Sequence, residues 1–118
     1  MDKFTIYCTE EQTKKALELG APITTRNDRF DERVSPICKE GEQWLYAIIP
    51  TAEQMLGWLE EQGILIDIDT EWNKSVLVYV WDCENKSPIN NVFHGSRKEA
   101  TLAAIDAALE YLIKTMEE

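Results

Sequence analysis

SRKEATLAAIDAALEYLIKTM, residues 96–116, is the longest unbroken pattern in the chain, and its reading decides the fold. Ser96 is a helix-capping residue, and Glu99, three positions on, completes a capping box. Leu102, Ile105, Leu109, Leu112, Ile113 and Met116 recur at steps of three and four, which predicts one apolar stripe. Glu99, Asp106, Glu110 and Glu117 fall on the other side of that helix. Ala103, Ala104, Ala107 and Ala108 favour helix and allow close approach. Burial of the six large side chains contributes roughly 10 kcal/mol in total. That is enough to anchor a domain once ordering entropy is set against it.

Upstream of this helix the pattern changes period. Residues 89–94 make a short strand, and residues 82–88 a turn. Residues 75–81 place Val76, Val78 and Val80 on one side and Leu77, Tyr79 and Trp81 on the other, as in a central strand. Residues 64–69 alternate Ile64, Ile66 and Ile68 with Leu65, Asp67 and Asp69, so one face points inward. Ahead of them, Thr51 and Gln54 spell a capping box for a helix over 51–62, closed by Gly63 and lined by Met55, Trp58 and Leu59. The order from residue 51 is helix, strand, strand, strand, helix. Short turns suit an antiparallel sheet with both helices on one face, an α+β architecture.

The first 49 residues read as an N-terminal appendage packing on a core domain of residues 50–118. Residues 3–8 alternate weakly, as a short strand. Thr9 and Gln12 cap a helix over 9–19, with Glu10 and Glu11 at its positive end. Residues 21–43, punctuated by Pro22, Pro36 and Gly41, have no helical or strand period and read as irregular. WLYAII, residues 44–49, is a strand ended by Pro50.

Composition removes several classes of function. The chain has 118 residues with 44% hydrophobic content, one domain with a real core. It has no run of roughly 20 apolar residues and no secretory signal pattern at its start, so a cytoplasmic location is expected and no membrane partner. Cys8, Cys38 and Cys83 are far apart, none in a C-x-x-C pair, and there is one histidine. Reduced thiols fit better than a disulfide framework or structural zinc. Asp67 and Asp69 share a strand face with Glu71 nearby, as two carboxylates that could hold a divalent cation do. An EF-hand fails, because the sixth position from Asp67 is Trp72 and the twelfth is Val78. Cys8 and His94 make a nucleophile and base on paper, without a glycine-rich turn beside either. No catalytic residues, metal or cofactor are expected, and the reading is a non-enzymatic protein.

Net charge is −10 and uneven. Residues 1–49 carry nine acids and seven bases, whereas residues 50–118 carry thirteen acids and five bases. The half with the clearest elements is therefore acidic, which opposes nucleic acid as a partner.

Two resemblances add to this. The order over residues 51–116, closing in Arg97, Lys98, Glu99, Ala100 and an alanine-rich helix, resembles the double-stranded-RNA-binding domain. That resemblance implies the helix-strand-strand-strand-helix fold and, as an alternative function, contact with nucleic acid through Arg97 and Lys98. The family's K-K-x-A-K opening has Thr101 where its third base stands, and the helix over 51–62 carries Glu53, Glu60 and Glu61 without a base. Separately, YCTEEQTKKALELGAP (7–22), PTAEQMLGWLEEQG (50–63) and RKEATLAAIDAALEYL (97–112) resemble small uncharacterised proteins of gut bacteria, their phages and other mobile elements. This implies a mobile-element accessory protein and brings no activity or functional residue with it.

The remaining signal is aromatic. Leu65, Trp72, Tyr79 and Trp81 fall on the sheet face away from the helices. Cover by residues 1–49 is the expectation, because an open apolar patch invites aggregation. Uncovered, these residues form a surface for a protein partner or for a homodimer.

Overall fold

Each helix begins where the sequence caps it. The computed structural model describes residues 5–28, 33–70, 76–94 and 96–117. Helix α1 (Glu10–Glu18) starts from Thr9, whose hydroxyl accepts the Gln12 amide while the Gln12 side chain accepts the Thr9 amide. Helix α2 (Ala52–Glu61) repeats this between Thr51 and Gln54. Ahead of α3 (Arg97–Glu117), Ser96 Oγ accepts the Glu99 amide at 3.1 Å.

Between α2 and α3 run β4 (Ile64–Thr70), β5 (Val76–Asp82) and β6 (Ser87–His94), an antiparallel meander in the order β4-β5-β6. Val76, Val78 and Val80 point into the core, where they join Met55, Leu59 and Ile64 with Ile105 and Leu109 of α3. Both helices thus cover the same side of the sheet, in the order that the alternation dictates. Gly63 links α2 to β4 at φ +87°, and a Cβ there would lie 3.1 Å from Glu84 Cγ. The left-handed φ favours glycine there, and any side chain would also press on that of Glu84.

The α3 stripe departs from expectation. Its buried residues are Ala100, Thr101, Ala104, Ile105, Ala108 and Leu109, whereas Leu102, Leu112 and Ile113 are half-buried and Met116 is 69% exposed. The alanines bring the helix down onto the sheet, so small side chains occupy the line of closest approach. A 21-residue helix is also about 32 Å long. Strands of seven or eight residues span only about 24–27 Å, so the last turn runs past them.

The first half of the chain is more ordered than its punctuation predicts. Besides α1 it contains β1 (Thr25–Arg26), β2 (Val34–Glu40) and β3 (Gln43–Ile48), which form a second antiparallel sheet in the order β1-β3-β2. Residues 34–40 were expected to be irregular because of Pro36. Proline is tolerated here because β2 is an edge strand, and the register shifts between Pro36 and Cys38. Gly41, at φ +65°, makes the tight β2–β3 turn that its position as a breaker concealed. Residues 3–8 give no strand among the described positions, only a bridge from Tyr7 to Thr51.

Among the described residues the first half attaches to the helices, and none of its elements packs extensively on the β4-β5-β6 sheet. Helix α1 packs on α3 and β2. Gln12, fully buried, donates from Nε2 to the Leu102 carbonyl at 2.8 Å and to Asp106 at 2.9 Å, so one side chain caps α1 and fastens it to α3. Cys8, Ala16 and Ala21 enter the same core cluster as α2 and α3. The molecule measures 51 × 40 × 18 Å. Its 18 Å thickness matches one layer of helices, about 10 Å across, on one layer of strands.

Ser35 on β2 is fully buried, and its hydroxyl has no hydrogen-bond partner among the described residues. A buried hydroxyl without a partner costs desolvation and returns nothing. Ser35→Ala is therefore expected to raise unfolding stability by up to about 1 kcal/mol. Urea denaturation would read this as a higher midpoint at unchanged slope; a lower midpoint would contradict it.

Candidate interaction surface

The side of the β4-β5-β6 sheet opposite the helices is open. The expectation that residues 1–49 cover it fails: Leu65, Tyr79 and Trp81 are 45%, 40% and 38% exposed. The first half is instead held by α1 on α3 and by backbone bonds near residue 50, Cys8 N to Pro50 O at 3.1 Å and Ala52 N to Ile6 O at 2.7 Å.

Register fixes what this face contains. Leu65 lies opposite Trp81, Asp67 opposite Tyr79, and Asp69 opposite Leu77. Directly opposed residues of an antiparallel pair share a face, with Cβ atoms about 4.5–5.5 Å apart. Trp81 also lies opposite the exposed Pro88 of β6, just past a register shift. One end of the face is thus apolar and aromatic (Leu65, Trp81, Pro88), and the other carries two exposed carboxylates, Asp67 and Asp69, with Tyr79 between. No lysine or arginine lies on β4 or β5. Trp72, the fourth residue expected here, lies outside the described residues.

The residue after Trp81 anchors the turn that follows it. Asp82 is 4% exposed, and its carboxylate accepts the Glu84 amide at 3.0 Å, the Asn85 amide at 3.1 Å, Asn85 Nδ2 at 2.8 Å and the Tyr111 hydroxyl. It closes the β5–β6 turn and ties the turn to α3. The Tyr111 hydroxyl and the Asn85 side chain hold the Asp82 carboxyl below the usual carboxylate range, against the opposing effect of burial. No sequence motif advertises Asp82 beyond its place at a strand end before a polar turn.

The other candidates are located as follows. Cys8 is buried, and burial, with Asp106 nearby, pushes its thiol up to about 12. It is protonated at neutral pH and a poor nucleophile. Cys38 and Cys83 are exposed. Among the described residues no group of three or more histidine, cysteine or acidic side chains gathers closely enough to hold a metal. Among them too, no helix is long and apolar enough to cross a membrane. Arg97 and Lys98 are exposed at the start of α3, and Arg97 lines an open cleft of about 400 Å³ together with Glu53 of α2. Sequence reading also missed a further exposed aromatic, Trp44, 44% exposed on the β2–β3 hairpin.

The chain matches no protein-family model, no curated protein and no solved structure. What the open face does must therefore come from its own residues.

Proposed function

We propose that this chain is a non-enzymatic, acidic protein-interaction module of mobile-element origin that works in the cytoplasm and binds a protein partner through the open face of the β4-β5-β6 sheet. The observation that carries the reading is the exposure of Leu65, Tyr79 and Trp81 on a sheet whose other side is fully used. Aromatic side chains standing in water on a rigid sheet mark a contact surface, since natural folds otherwise cover or charge such faces. The alternative is a nucleic-acid-binding module using Arg97 and Lys98, favoured by the helix-strand-strand-strand-helix order. The −10 net charge, and Glu53 lining the same cleft as Arg97, weigh against it.

Affinity capture from cells expressing the chain separates these readings. The expected result is a set of retained polypeptides that disappears when Tyr79→Ala and Trp81→Ala are combined and persists with Met116→Ala. Retention of the same set by the face variant would overturn the proposal. Duplex RNA in the eluate, lost with Arg97→Ala and Lys98→Ala, would establish the alternative.

A further inference from the structure

The identity of the partner's contact segment can be narrowed, on the basis of the interaction reading above. We infer that the open face takes a basic amphipathic helix: an apolar side chain seated on Leu65 and Trp81, and lysine or arginine side chains reaching Asp67, Asp69 and the ring of Tyr79. Charge complementarity carries the choice. Asp67 and Asp69 stand on the open face of the edge strand β4, opposite Tyr79 and Leu77 of β5, and neither strand supplies a base to neutralise them.

A covering layer without positive charge would strip water from both carboxylates without giving them a partner, which opposes binding. A cation placed between Asp67 and Tyr79 meets a carboxylate and the negative face of an aromatic ring on neighbouring strands. A second copy of this chain fits poorly for the same reason. A two-fold contact through this face would set the carboxylates against one another or against Leu65 and Trp81, between molecules of net charge −10.

Spacing favours a helix. Leu65 and Asp69 are four residues apart on one strand, about 13 Å, which two turns of helix, about 11 Å, nearly span. Helices α2 and α3 already cover the other side of this sheet, so a third helix would complete a helix-sheet-helix sandwich.

The probe is a pair of synthetic 18-residue amphipathic peptides with the same leucine stripe, flanked by lysines in one and by glutamates in the other. Binding is read by calorimetry at about 100 mM salt, where charges further apart than about 10 Å are screened. The lysine peptide is expected to bind and the glutamate peptide not. Asp67→Asn with Asp69→Asn, and separately Trp81→Ala, should weaken the lysine peptide at least tenfold. Glu53→Gln with Glu60→Gln on α2 should change it less than twofold. Equal weakening by the α2 pair would mean attraction by net charge alone and would overturn the inference. So would equal binding of both peptides. Sedimentation of the chain alone decides what survives: a dimer abolished by Trp81→Ala makes the second copy the occupant, ending this inference while keeping the interaction surface. No binding of any peptide, no dimer and no face-dependent capture would end both.

Discussion

Leu109→Ala is expected to lower unfolding stability by about 2–5 kcal/mol, while Met116→Ala, on the same helix, changes it by no more than about 0.5 kcal/mol. Both residues belong to the apolar stripe that the spacing of α3 spells out. Leu109 is 0% exposed and lies in the core cluster with Leu59, Val78 and Val80, so truncation leaves a cavity between helix and sheet. In a molecule 18 Å thick that cavity cannot be filled from a second core layer. Met116 is 69% exposed beyond the end of the sheet, and loses almost nothing on truncation. Urea denaturation followed by tryptophan fluorescence reads both. Equal midpoint shifts would mean that α3 is buried along its whole length and that the sheet reaches further under it.

The same helix shows which parts of the fold are legible in sequence. Capping boxes at Thr9 and Thr51 fix two helix starts to the residue, because their chemistry is local. The alternation of Ile64, Ile66 and Ile68, and of Val76, Val78 and Val80, assigns both strands and their inward faces. It also puts Leu65, Tyr79 and Trp81 together on the outward face before any coordinates. What alternation does not carry is coverage, since a face reads the same whether a layer lies over it or not. Cover by the first half was expected on grounds of solubility, and the carboxylates of Asp67 and Asp69 meet that need instead. Strand β2 was hidden for a different reason. Pro36 and Gly41 read as breakers, and their tolerance depends on an edge position and a two-residue turn that only the sheet order reveals. On α3 the expected stripe holds at Ile105 and Leu109 but misses the rest of the buried line, because hydrophobicity weights leucine over alanine, while close packing against a sheet selects Ala100, Ala104 and Ala108.

Asp82→Ala is expected to cost about 2–4 kcal/mol at neutral pH, since it leaves the Glu84 and Asn85 amides and the Tyr111 hydroxyl without their shared acceptor. The cost has a pH signature with a definite sign. Tyr111 and Asn85 lower the Asp82 pKa in the folded chain, so the folded state binds its proton less readily than the unfolded one. Its stabilisation is complete above the unfolded carboxyl value of about 3.9 and is lost as pH falls through the lower folded value. Asp82→Asn keeps the side-chain shape without the charge, so it should be less stable at pH 7 and lose less than the unaltered chain between pH 5 and pH 2. Tyr111→Phe removes the donor with the largest effect and should flatten the same acid limb in part. Parallel acid limbs in all three proteins would show that Asp82 is not held below its usual range. The outcome bears on the open face, because Trp81 precedes Asp82 and the turn that Asp82 closes sets where β6 returns beside it. Loosening that turn should therefore weaken binding at the Trp81 end of the sheet, which makes Asp82 a positioning residue for a surface it does not touch.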